Sequence, residues 1–173
     1  MKTTTLILAA AATLAACSTV KKVEGDVVPT KDVTTVGEWQ IAVNEKAGPA
    51  CYATRHFVNP TSQVQMGINA TKAPPSGYLA IYVQGYEGIH PGQSIPATFT
   101  VGDKVFKGTF KGQQTDGFGG ATVPVDNVDF IYQLGNYDNL VIAYGEGRSV
   151  TVPLDDVDPA IAALKSCQEG LAK

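Results

Sequence analysis

From residue 37 onward, apolar and polar residues alternate in short runs separated by glycine, proline, asparagine and aspartate. A period of two places every second side chain on one face, so each run predicts a strand with one buried face. The clearest run is 78–84, in which Leu79, Ile81 and Val83 share a face. Gly102-Asp103 separates two runs and predicts a tight hairpin turn. The predicted strands are 38–43, 51–58, 64–69, 78–84, 97–101, 104–110, 120–125, 140–144 and 149–154.

Two segments have helical spacing instead. Residues 126–135 predict a short helix that stops at Gly135. Near the C-terminus, Asp158 is a candidate N-cap, Pro159 occupies the favoured first helical position, and Gly170 is a candidate stop. One apolar stripe runs along this second helix and consists of Ala160, Ile161, Ala163, Leu164 and Cys167. Together the elements predict a mainly β domain, an antiparallel sandwich or barrel of about eight short strands with one C-terminal α-helix.

The first residues form a targeting segment. Lys2 is followed by an apolar run over 6–16, which is shorter than the about 20 residues that span a bilayer. The run ends in Leu14-Ala15-Ala16-Cys17. This ending resembles the lipobox of bacterial lipoproteins, and the resemblance implies that Cys17 is lipidated after the leader is cut before it. The alternative is an ordinary signal peptide that is cut after Ala16.

The anchor divides the chain into three parts: a cleaved leader over 1–16, a lipidated cysteine and tether over 17–36, and one β-rich domain over 37–173. Residues 18–36 are polar, lack aromatic residues and have no sustained period, which is typical of a flexible linker. In enteric bacteria, Ser18 beside the lipidated cysteine is typical of outer-membrane sorting. We therefore expect a lipid-anchored protein of the bacterial cell envelope, on the outer membrane and facing the periplasm.

Composition excludes several classes of protein. The chain has 173 residues, of which 44% are hydrophobic, and a net charge of −3, so a disordered chain is excluded. The chain has 13 basic and 16 acidic residues, so it lacks the excess of basic residues that is typical of nucleic-acid-binding proteins. Three cysteines are too few for a disulfide-dense scaffold.

The two cysteines of the mature domain are Cys51 and Cys167. Lipidation of Cys17 leaves this even pair in an oxidising compartment, where a disulfide is expected. The bond would tie the second predicted strand to the C-terminal helix. The alternative is a redox or metal-binding pair, although the sequence has no C-x-x-C motif.

Trp39 precedes Cys51 at the start of the domain, and a strand followed by an Ala/Leu-rich helix closes it over 150–167 (VTVPLDDVDPAIAALKSC). This order of residues and elements resembles that of the proteobacterial invasion-associated locus B family. The resemblance covers residues 38–167 in outline. It implies a secreted or periplasmic β-rich domain with a strand-to-helix disulfide, and it carries over no catalytic site.

Few residues carry the signature of a catalytic or metal site. His56 and His90 lie outside any metal motif and are expected at the surface or in a turn. Ser149 lacks the G-x-S-x-G setting of a hydrolase nucleophile. The acidic run 155–158 precedes the C-terminal helix, where its charges favour the helix dipole. The segment TDGFGG over 115–120 matches no phosphate-binding or EF-hand motif and is expected to be a hairpin loop. We predict no metal, no cofactor and no catalytic residue.

One feature is typical of a binding surface. Tyr78, Tyr82 and Tyr86 lie at even-numbered positions, so in a strand their side chains share one face, opposite the face of Leu79 and Ile81. Tyrosine combines an apolar body with a polar tip, which suits a half-exposed recognition face. The alternative is that the tyrosines are core residues, covered on their own face. The sequence thus predicts a non-enzymatic envelope lipoprotein that binds another envelope protein or assembly. A periplasmic inhibitor of secreted proteases and an uncharacterised hydrolase are the two alternatives.

Overall fold

The protein is described by a computed structural model over residues 33–58, 61–71, 73–85, 88–115, 117–145 and 147–171. The predicted leader, the lipidated Cys17 and the tether up to residue 32 lie outside the described residues. Tyr86 also lies outside them.

The described residues contain ten strands, two α-helices and two short 3-10 helices, at Glu45–Ala47 and Leu134–Asn136. The α-helices are α1 (Val128–Gln133) and α2 (Val157–Leu171). The strands are β1 (Thr34–Val36), β2 (Trp39–Asn44), β3 (Ala50–Val58), β4 (Thr61–Asn69), β5 (Ser76–Gln84), β6 (Ser94–Val101), β7 (Lys104–Thr115), β8 (Phe118–Val125), β9 (Asn139–Tyr144) and β10 (Arg148–Pro153).

All ten strands belong to one sheet, in the order β1-β2-β3-β4-β5-β8-β7-β6-β9-β10. Every neighbouring pair is antiparallel. Inward side chains from both halves of the order, such as Ile41 and Ile142, belong to a single buried cluster. The sheet therefore curls around one core into an open, barrel-like form. This confirms the predicted mainly β, antiparallel architecture with a C-terminal helix.

Helix α2 closes the inner side of the sheet. It packs against β2 and β3, and its Ala160, Ile161 and Leu164 are buried in the same core as Trp39. Because α2 occupies the inner side, no described helix covers the outer face of β3, β4 and β5. That outer face carries Tyr78 and Tyr82 of the predicted tyrosine stripe.

The disulfide predicted between Cys51 and Cys167 is present and joins β3 to α2, with the two Cα atoms 6.1 Å apart. It links positions 116 residues apart in the sequence. The Cys51 backbone N–H donates a hydrogen bond of 3.0 Å to the side-chain oxygen of Gln168, so a polar contact accompanies the covalent one. Both hold the C-terminal helix on the sheet.

Element boundaries differ from the prediction at a few places. The sheet begins at Thr34, within the segment predicted as a tether, because β1 pairs with β2 over three residues. Helix α2 begins at Val157, so Asp158 lies in its first turn instead of at the N-cap, and Gly170 lies within the helix. The segment 115–120 is mostly strand, since β8 begins at Phe118.

Candidate binding surface

The outer face of the central strands is organised by tyrosines that lie against glycines. Tyr78 on β5 is opposite Gly67 on β4, which is in turn opposite Tyr52 on β3. The Tyr78 ring covers Gly67, because a Cβ built on Gly67 would lie 2.6 Å from the Cε1 atom of the ring. Only glycine lets the ring lie this low on the sheet. Tyr78 as a whole is half-buried.

Tyr82 lies four residues after Tyr78 on β5 and on the same face of the sheet. It leans towards β8, whereas Tyr78 leans towards β4. Its Cδ1 lies 2.7 Å from the position that a Cβ on Gly120 would take. The Tyr82 hydroxyl donates to the Gln113 side-chain oxygen at 2.6 Å, and the Thr122 hydroxyl donates to the same oxygen at 2.9 Å. These contacts join β5, β8 and β7 and fix the orientation of the Tyr82 ring.

A groove of about 470 Å³ follows this surface. Apart from its two tyrosines, its described lining is mainly amide, hydroxyl and lysine side chains, including Asn44, Gln65, Asn69, Gln113, Thr122, Lys46 and Lys111. None of the described residues that line it is acidic. We call this depression the tyrosine groove.

The lysines of the tyrosine groove are free of ion pairs with any described residue. The Lys111 ammonium donates to the Ser94 hydroxyl at 2.6 Å, which holds it at the β7 side. Lys46 lies at the opposite side, in the 3-10 helix after β2, and is exposed. Glu45 shares that turn but does not line the groove. The groove is therefore locally basic in a chain that is acidic overall.

Burial raises the pKa of two tyrosines on this face of the sheet, Tyr78 and Tyr52. Desolvation raises the pKa of Tyr78 well above its ordinary value of 10.0, and the neighbouring phenols of Tyr52 and Tyr82 add to the rise. A side-chain hydrogen bond with Asn44 opposes the rise in the pKa of Tyr78 without cancelling it. Desolvation also raises the pKa of Tyr52. At neutral pH these side chains are phenols that can both donate and accept hydrogen bonds.

The structure brings Tyr78 and Tyr82 together on one open face, where sequence parity placed them. Sequence reasoning missed the groove residues on other strands, such as Gln65, Gln113 and Thr122. The available signal was the polar parity of β4 and β7, where Gln65 and Gln113 alternate with apolar or small residues. That parity does not reveal which strands are neighbours.

No other cluster in the described part of the chain has catalytic geometry. His56 and His90 are both exposed. No group of three or more histidine, cysteine, aspartate or glutamate side chains among the described residues could hold a metal ion. Arg55 forms an ion pair with Glu38, and its guanidinium lies 5.0 Å from the centre of the Phe57 ring. These contacts hold a largely buried charge in place.

A second depression, of about 350 Å³, lies between β8, β7 and α1. The ladder between β7 and β8 covers only the segment from Lys111 to Thr115 on β7, so the two strands diverge beyond it. Phe106 and Phe130 line the depression and meet edge to face, with ring centres 4.8 Å apart. Phe106 remains 39% exposed. Unlike the tyrosine groove, this depression is lined by two acidic residues, Asp126 and Asp129.

The fold is similar to that of a bacterial protein of known structure. The crystal structure of invasion associated protein B from Bartonella henselae has a TM-score of 0.54 and 18% sequence identity, covering 80% of this chain and 99% of that chain. At 18% sequence identity, the similarity shows the fold alone. The shared fold supports the resemblance to the invasion-associated locus B family. No protein-family model matches the chain, and no curated protein matches it. Among the described helices, none is long and apolar enough to span a membrane.

Proposed function

We propose that the protein is a lipid-anchored, periplasm-facing protein of the outer membrane that acts by binding and not by catalysis. Its partner is another envelope protein or assembly, which it contacts through the tyrosine groove. The lipobox supports the anchor: two or three acyl chains on Cys17 would give stable attachment, since each buried CH₂ contributes about 0.8 kcal/mol.

One observation carries the binding role. Tyr78 and Tyr82 are half-buried and line one groove, and Tyr82 is held by hydrogen bonds to side chains on two other strands. Rigid aromatic side chains lose little conformational entropy on binding, so they make efficient contact surfaces. A volume of about 470 Å³ also lies in the range of about 300–1,000 Å³ that is usual for ligand sites.

In-cell photo-crosslinking of the full chain tests this proposal. We would place a photoreactive residue at position 65, since Gln65 lines the groove and makes none of the side-chain hydrogen bonds described above. The matched control is position 151, since Thr151 is exposed on the edge strand β10. We expect an adduct from position 65 that does not form from position 151.

Enzymatic digestion of the adduct then identifies the class of partner. A protease-sensitive adduct indicates a protein, and a muramidase-sensitive adduct indicates a cell-wall glycan. Equal adducts from both positions, or no adduct from position 65 when the protein is correctly localised, would overturn the binding role of this face.

A further inference from the structure

We infer that the tyrosine groove binds an anionic glycan, a chain of sugar rings that carries carboxylates. The inference rests on the proposed function, because it names the ligand of the same surface. It follows from the shape of the floor, the chemistry of the walls and the sign of the charge.

The floor of the groove suits sugar rings. Tyr78 lies low on the sheet because Gly67 leaves space beneath its ring, and Tyr82 lies close to Gly120 on the neighbouring strand. Both tyrosines line the groove, and the electron-rich face of a tyrosine ring attracts the weakly positive C–H groups on one side of a pyranose. Tyr78 and Tyr82 are separated along β5 by three residues, so they can contact successive parts of an extended chain.

The walls of the groove supply both hydrogen-bond donors and hydrogen-bond acceptors. Gln65, Asn69 and Gln113 carry amides, and Thr122 carries a hydroxyl, all within one groove. Each amide both donates and accepts, as do the hydroxyl groups of a sugar. Gln113 already accepts from Tyr82 and Thr122, so its NH₂ group is turned away from them and is available to donate.

The charge of the groove selects an anion. Lys46 and Lys111 lie on opposite sides, and none of the described lining residues is acidic. In a chain with a net charge of −3, this local excess of positive charge complements carboxylates spaced along a polymer. Tyrosine is common in protein–protein interfaces as well, whereas lysine is depleted there. The two lysines and the amide and hydroxyl walls, and not the tyrosines, therefore favour an anionic glycan over a protein surface.

Calorimetric titration of the purified full-length protein in mild detergent tests the inference. The probes are tetragalacturonate, its uncharged methyl ester, and soluble glycan chains released from cell-wall sacculi by an amidase, which removes the stem peptides and leaves free carboxylates on the sugars. We expect at least one anionic probe to bind. If tetragalacturonate binds, its methyl ester should bind about tenfold more weakly, and a tenfold rise in salt should weaken the anionic complex, because exposed ion pairs are screened.

Two double variants separate the groove from general charge effects. Lys46→Ala with Lys111→Ala should lower affinity about tenfold. Lys104→Ala with Lys165→Ala removes the same charge from exposed sites outside the groove, and affinity should stay within about twofold. Binding of tetragalacturonate alone indicates a uronic acid polymer, and binding of the sacculus chains alone indicates the cell wall.

The inference is overturned if neither anionic probe binds, or if both double variants bind as the wild type does. A protein-only adduct from position 65 without glycan binding would overturn this inference and leave the proposed function in place. Loss of both the adduct and glycan binding would overturn both.

Discussion

The ring of Tyr78 lies directly over Gly67, so that the side chain of one strand occupies the place where its neighbour has none. Gly67→Ala puts a methyl group 2.6 Å from the ring, which must lift off the sheet. Overpacking of this kind costs about 1–3 kcal/mol of unfolding free energy. We expect a lower Tm and weaker ligand binding, measured by thermal denaturation and by the titration described above.

Gly170→Ala is the matched control for Gly67→Ala. Gly170 lies in α2 with open space where its Cβ would be, so alanine should be neutral or stabilising by up to about 1 kcal/mol. Unchanged binding by Gly67→Ala would show that the Tyr78 ring position does not matter for the ligand.

The bond between Cys51 and Cys167 should account for a large part of the stability of the domain. Replacing both cysteines with alanine removes a cross-link between residues 116 positions apart. Losses of about 2–5 kcal/mol are typical when a native disulfide is removed from a small secreted domain. Urea denaturation measures the loss. Reductant should destabilise the wild type and leave the double variant unchanged, and alkylation of Cys51 and Cys167 before reduction would contradict the bond.

Stability should fall at alkaline pH because the folded state holds the Tyr78 proton. Burial raises the pKa of Tyr78 above its ordinary value of 10.0, whereas the unfolded chain releases this proton near that value. Above pH 10 the unfolded state therefore binds fewer protons than the folded state, and the unfolding free energy decreases as pH rises. Below pH 10 this contribution is fully present.

Urea denaturation of the wild type and Tyr78→Phe between pH 8 and pH 11 checks the assignment. Phenylalanine retains the ring over Gly67 and removes the titrating group, so its stability should depend less on pH. Equal slopes for the two proteins would rule out Tyr78 as the source of the decrease.

Lipidation should depend on Cys17 alone. Metabolic labelling with a palmitate analogue should mark the wild type and fail to mark Cys17→Ser, because serine lacks the thiol that accepts the acyl chain. The variant with Cys51→Ala and Cys167→Ala should be labelled as the wild type is. Persistent labelling of Cys17→Ser would place the lipid elsewhere or refute the lipobox assignment.

Local patterns predicted most strands because burial on one face of a pleated sheet imposes a period of two. Leu79 and Ile81 point inward on β5, while Tyr78 and Tyr82 point outward, as parity requires. Strand β1 escaped prediction because its three residues, Thr34–Val36, have no period of their own. They become a strand only through their pairing with β2. The start of α2 was displaced by two residues, from Pro159 to Val157, because helix ends vary with local contacts.

The sequence by itself determined the strands, the C-terminal helix and the pairing of Cys51 with Cys167, because alternation, capping residues and an even cysteine count are properties of the chain. Tertiary structure alone decided that Gln65, Gln113 and Lys111 lie beside Tyr82. These residues come from β4 and β7, which flank β5 and β8 in the sheet order. No local pattern encodes strand order, since it results from the burial of all inward faces around one core.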